Sequence, residues 1–369
     1  MLSPVFLGLR DLIASKGRYV LVGVVIALVA FLATMLSGLA NGLVDDGISG
    51  MRALPLTHLA FQENSHAVFS RSILTSDELE PYEAGTDVEA TPIGVSFFNA
   101  SPADGQGNSI DIALFGVDGD GFLADASDGA ETGDLGAGID GGLVLSDELS
   151  DEVAVGEEFT IVGTDVTLPV VGFTFAGTFG HVPIAYTSLD TWQTLLYGDD
   201  ANGRFSAVAL RADGSSLDAI GEVEGVELFT KQGAYAGSPG YSAESSTMTL
   251  IRGFLLVISA LVVGAFFTVW TIQRTRQIGL LKALGASSWY VIRDALGQLA
   301  ILLVISITVG CLFAVLAGSL VGEDVPFNLT ARSTVVTALI LGVVGMAGSL
   351  VALRRITGVD PAISLSSAP

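Results

Sequence analysis

Residues able to do covalent or acid–base chemistry form no known catalytic pattern in this chain. There is no GxxxxGK[ST] loop to cradle a nucleotide's phosphates, no HExxH helix for zinc, no GxSxG nucleophile turn and no CxxC pair. His58, His66 and His181 stand far apart, and the lone thiol, Cys311, lies inside an apolar run, so neither a general-base set nor a disulfide framework is legible. Aspartates at 118, 120, 125 and 128 invite comparison with a calcium loop. An EF-hand loop starting at Asp118 needs glycine sixth and glutamate twelfth, where Leu123 and Gly129 stand, so the stretch reads as a solvated acidic loop. The chain is therefore expected to be no enzyme, to hold no metal or cofactor of its own, and to take any energy it uses from a partner.

The elements that would position binding residues follow from where charge and apolarity fall. Half of the 369 residues are hydrophobic and 15% are charged, yet the formal net charge is −23. Between Leu43 and Met248 there are 34 acidic residues against five basic ones, a net of −29, so the rest of the chain is slightly basic. Such a split implies two environments, and the acidic block argues against nucleic acid as a partner. Hydrocarbon about 30 Å thick needs roughly 20 apolar residues in a helix. Segments 19–44, 250–272, 296–321 and 335–353 qualify, and Arg252 is their only charged residue, placed where it can snorkel.

Basic residues flanking these segments set the orientation. Arg10, Lys16 and Arg18 precede the first; Arg274, Arg276, Lys282 and Arg293 separate the second and third; Arg354 and Arg355 follow the fourth. The reading is an integral membrane α-helical protein with four transmembrane helices and a large α+β extracytoplasmic domain between helices 1 and 2. Both termini are expected in the cytoplasm, at the plasma membrane. The expected divisions are a cytoplasmic amphipathic N-terminal helix (1–18), helix 1 (19–44), the extracytoplasmic domain (45–248), helix 2 (249–272), a cytoplasmic loop helix (273–295), helix 3 (296–321), a short outer loop (322–334), helix 4 (335–353) and a cytoplasmic tail (354–369). Within the large domain, strands are expected at 110–117, 142–145, 158–162, 166–175 and 205–211, and helices at 188–196 and 215–223, with a further stretch at 77–89 interrupted by Pro81. Small residues such as Gly23, Ala27 and Gly348 would let helices approach closely in lipid.

The segment QRTRQIGLLKALGASSWYVIR (273–293) reads as a short amphipathic helix ended by Gly285, suited to docking a cytoplasmic protein. Its core RQIGLLKALGAS, the tail RRITGVDPAISL, and the layout of one long outer domain followed by three spans resemble the FtsX/MacB-type permeases of ABC transporters. The stretch GGLVLSDELSDEVAVGEEFTIVG is similar to that family's extracytoplasmic core, and GSPGYSAESSTMT (237–249) resembles its haem-exporter (HrtB-like) subgroup from Gram-positive bacteria.

The resemblance implies an efflux permease exporting haem from the membrane, pairing as a homodimer with two copies of a separate ATPase that binds the ATP, with lipid around it. It also leaves open an FtsX-like signalling scaffold that controls a cell-wall hydrolase, and an exporter of a lipoprotein, peptide or drug. Carried over, the ATPase-coupling contact falls on Gln277, Ile278, Gly279, Leu280, Leu281, Lys282, Ala283, Leu284, Gly285 and Ala286. A flat iron-bearing ligand would meet Tyr241, Glu244 and Met248 ahead of the second span and Met51 after the first. Glu and Tyr oxygens or Met sulfur can ligate iron.

Overall fold

The computed structural model describes residues 16–124, 139–174, 177–273, 287–322 and 325–356. The expected N-terminal amphipathic helix, most of the 273–295 loop and the tail beyond 356 fall outside them. Four long helices carry the apolar segments: α1 (Lys16–Ala53), α6 (Tyr241–Gln273), α7 (Ser288–Gly318) and α8 (Ala331–Ile356), each long and apolar enough to cross a membrane. They run past the apolar windows because nothing local stops them. α1 continues until the Leu54–Pro55 step, where a following proline disfavours helix, and α6 begins directly after Pro239 and a left-handed Gly240 (φ 80°).

The chain folds as two units, Val44–Ser245 and the remainder. In the helical unit, Tyr19, Ile26, Ala30, Val263, Leu299, Leu303 and Leu341 share one apolar core. α1 and α7 meet where Gly310 lies against Ala27, so closely that a Cβ on Gly310 would collide with the Ala27 carbonyl. The small residues of α1 thus serve packing within the chain.

The other unit is built on a ten-stranded sheet: β1 (His58–Gln62), β2 (Glu89–Pro102), β3 (Ile110–Val117), β4 (Leu143–Ser146), β5 (Glu158–Ile161), β6 (Thr167–Thr174), β7 (Thr178–Phe179), β8 (Val182–Ser188), β9 (Ala207–Arg211) and β10 (Val226–Thr230). Strand order is β10-β1-β9-β2-β3-β8-β4-β6-β5, and β5 returns to pair with the far end of β2. Six strands, β2, β3, β8, β4, β6 and β5, therefore close on themselves, while β9, β1 and β10 extend from the near end of β2 as an open wing. β3 is apolar almost throughout because both its faces are covered. Ile112 and Leu114 join Leu145, Phe159 and Trp192 in one core, and Ala113, Phe115 and Val117 join Phe61, Phe179 and Tyr186 in another. Against the sheet lie α2 (Ser76–Glu83), which accommodates Pro81, α3 (Leu189–Tyr197), capped by Ser188, α4 (Gly214–Ile220), capped by Asp213, and the single turn α5 (Lys231–Ala234).

Candidate functional site

Among the described residues of the sheet unit, a polar cluster centres on His181. β7 and β8 form a hairpin in which Phe179 faces Val182, leaving Gly180 and His181 as a two-residue turn. Both have positive φ, 62° and 65°, the type I′ geometry that matches the twist of the strands. Histidine tolerates that conformation at a cost, and the surrounding contacts offset it. His181 Nδ1 lies 2.8 Å from Asp46 Oδ2, and Nε2 lies 3.0 and 3.1 Å from the two Glu244 oxygens. Asp46 belongs to the last turns of α1 and Glu244 to the first turn of α6. Backbone bonds hold the hairpin there: Gly180 N donates to Gly47 O (2.9 Å), Thr178 N to Ser49 Oγ (2.8 Å), and Ser238 Oγ also donates to Gly47 O (2.8 Å).

Two ring nitrogens facing three carboxylate oxygens are satisfied together only when both carry protons. Burial by itself would lower the His181 pKa. Hydrogen bonds to Asp46 and Glu244, reinforced by both charges, outweigh it, so the ring titrates above its ordinary 6.5. The side chain is 30% exposed, which keeps part of this electrostatics screened.

Of the residues picked from sequence, Glu244 is therefore held as an ion-pair partner. Tyr241 is half-buried and packs edge-on against Tyr235, ring centroids 6.1 Å apart. Met51 is 0% exposed in the core with Ile48, Leu54 and Phe179, so its sulfur serves packing in this arrangement and faces no ligand space. Met248 is half-buried on α6. His58 is half-buried, with Nδ1 3.0 Å from Thr57 Oγ1, and His66 is exposed. The coupling residues Gln277 to Ala286 lie outside the described residues, as do Asp125 and Asp128. Among the described residues no three His, Cys, Asp or Glu side chains are grouped to hold a metal.

Sequence reading assigned Arg252 to the lipid headgroups, and the helical unit holds it otherwise. Its Nη2 donates to Ser37 O (3.2 Å) and Asn41 Oδ1 (2.9 Å) on α1, while Nε is buried without a partner. The guanidinium lines a small cavity of about 70 Å³ with Ala33, Ser37, Leu255, Leu256, Thr337 and Ile340. A cation turned inward among apolar side chains, with a donor left over, is costly unless an anion completes it, and carboxylate is the planar group that fits guanidinium best.

Residues 249–361 match the FtsX-like permease C-terminal family. The putative hemin transport system permease HrtB of Staphylococcus epidermidis is 21% identical over 348 residues, covering 94% of this chain and 95% of that protein. Its namesake from Staphylococcus haemolyticus is 20% identical over 345 residues, covering 93% and 94%. The periplasmic region of MacB from Actinobacillus actinomycetemcomitans superposes on 49% of this chain and 92% of its own length, at 13% identity and a TM-score of 0.37, too low for a shared fold to follow from it.

Proposed function

We propose that this chain, an FtsX/MacB-type ABC transporter permease similar to the HrtB hemin transport permeases, exports an amphipathic carboxylate-bearing ligand of the haem class. As a permease it is the non-catalytic subunit of a transporter and works with an ATPase subunit. In this reading it acts as a homodimer with two ATPase copies. Both termini and the 277–286 contact lie in the cytoplasm, and the acidic Val44–Ser245 unit lies outside.

The observation that carries the ligand class is Arg252. Hemin is a flat apolar ring with two carboxylates at one edge, and a fixed guanidinium with an unpaired Nε inside an apolar bundle suits one of them. Met248 stands one turn before Arg252 on α6, within the same helical unit. Glu244 would ligate ferric iron after exchanging His181 for it, which links ligand capture to release of the hairpin.

The test is a hemin titration of the full chain in detergent, followed at the Soret band. Arg252→Ala should weaken binding by about tenfold or more, the value of a charge-assisted hydrogen bond. Hemin dimethyl ester, lacking the carboxylates, should bind the parent weakly and be indifferent to Arg252→Ala. A parent that leaves the hemin spectrum unchanged sinks the cargo assignment.

A further inference from the structure

β10 closes one end of the open wing and, among the described residues, pairs only with β1. Two flanking bonds, Glu63 N to Gly225 O and Lys231 N to Thr57 O, both 2.8 Å, fix the phase of the antiparallel ladder. Residues 225, 227, 229 and 231 turn their N–H and C=O groups towards β1, so Val226, Leu228 and Thr230 turn theirs away. The Val226 N–H is taken up by Val223 O (3.2 Å). That leaves the Leu228 N–H and C=O, the Val226 C=O and the Thr230 N–H along a sheet edge with no strand beside it among the described residues.

A cleft of about 900 Å³ opens next to this edge, between β10, α4 and the 221–225 turn. Its lining includes Leu228, 41% exposed, and buried Leu217. Tyr82, only 4% exposed, lines it too. Glu63, Asp218, Glu222, Glu224 and Glu227 stand around the cleft; among the described residues none of them is in an ion pair and no basic residue lines the cleft.

We infer that the β10 edge and its acidic cleft form a docking site for an extended basic peptide segment of another protein, which adds as a strand beside β10. Exposed sheet edges template strand addition, with the backbone supplying affinity and alternate side chains supplying specificity. Here one face of the added strand rests on exposed Leu228, and its basic residues reach the carboxylates. A second copy of this chain is a poor occupant, because this region carries 34 acidic residues against five basic ones and its edges repel each other. A divalent cation is likewise disfavoured, since the carboxylates are spread along the cleft and the described residues hold no metal-sized group.

The test uses the full chain in a non-ionic detergent and fluorescence anisotropy of labelled heptapeptides, one alternating Lys and Val, one alternating Lys and Gly at equal charge. The Lys/Val peptide should bind about tenfold more tightly, since glycine gives up β-propensity and contact with Leu228. Glu222→Gln with Glu224→Gln and Glu227→Gln should weaken it about tenfold, three screened attractions acting together. The control triple Asp147→Asn, Asp151→Asn and Glu152→Gln, elsewhere on the same acidic unit, should leave it unchanged. Bound peptide should also slow hydrogen exchange at Leu228. Equal affinity for the two peptides, equal loss in the two triple variants, displacement by spermidine or calcium at charge-matched concentrations, or an unprotected Leu228 amide would each overturn the assignment.

Discussion

Replacing His181 with asparagine removes both ion pairs while keeping a residue that tolerates the left-handed turn. The clamp consists of charge-assisted hydrogen bonds of 2.8–3.1 Å, a class worth about 1.5–3 kcal/mol each when fully desolvated. Here the side chains are 27–35% exposed, so the pair together is discounted to about 1–2 kcal/mol. The sign follows from linkage: the folded pKa lies above the unfolded one, so the native state holds the proton more tightly. The extra stability is complete below about pH 6.5 and is lost as pH climbs through the raised folded value. In a Trp270→Phe, Trp289→Phe background, fluorescence of Trp192 in the sheet core reports melting of that unit alone. Its Tm should fall by about 2–8 °C between pH 6 and pH 9, using about 2–4 °C per kcal/mol for a domain of this size. In His181→Asn that drop should disappear and Tm at pH 6 should already be low. Glu148, raised by burial and then by Asp147 and Asp46, contributes with the same sign from about 4.5 upward, so Glu148→Gln serves as the control. A His181→Asn melting profile running parallel to the parent from pH 6 to pH 9 would refute the argument.

Gly177 has φ 66°, and a Cβ there would lie 2.8 Å from Gly50 N, so Gly177→Ala should destabilise the sheet unit by about 2 kcal/mol or more, read from the same Trp192 melt. Lys231 Nζ donates to Arg52 O and Leu54 O, both at 2.6 Å, closing the carbonyl end of α1. Lys231→Met should cost about 1–2 kcal/mol in chemical unfolding of the purified chain, because it strips a cation from a helix C-terminus. Gly310→Ala should cut the yield of monodisperse protein in detergent, as α7 can no longer seat on Ala27; an unaffected yield would show that the helices can separate there.

The four long helices were legible because twenty consecutive apolar residues have few other solutions. Their ends were not, since the polar tails at 45–53 and 241–249 stay helical until Pro55 and from Pro239 onward. β3 was found at its observed limits, being apolar on both faces between turn residues. β2 and β8 were missed because Pro92 and Pro183 lie inside them, and proline demotes a run that the finished sheet tolerates at those places. The His181 cluster left no local trace: its partners are 135 and 63 residues away, joined only by the topology. Arg252 was visible as a charge beside an apolar run, but its partners Ser37 and Asn41 lie 215 and 211 positions away, so sequence alone suggested an outward reach.

β2 is shared property. Its near end, Glu89–Ile93, is laddered to β9, and its far end, Ala100–Pro102, to β5, while β3 spans the residues between. A one-residue slip would turn every side chain on this strand to the opposite face, in the closed strands and in the wing at once. No intermediate register is therefore available to one half alone, and the sheet behaves as a single stiff beam whose two ends cannot be retuned separately. Any pull applied to β9 must be felt at β5, and the amides at the centre of β2 should be the last in the unit to exchange with solvent.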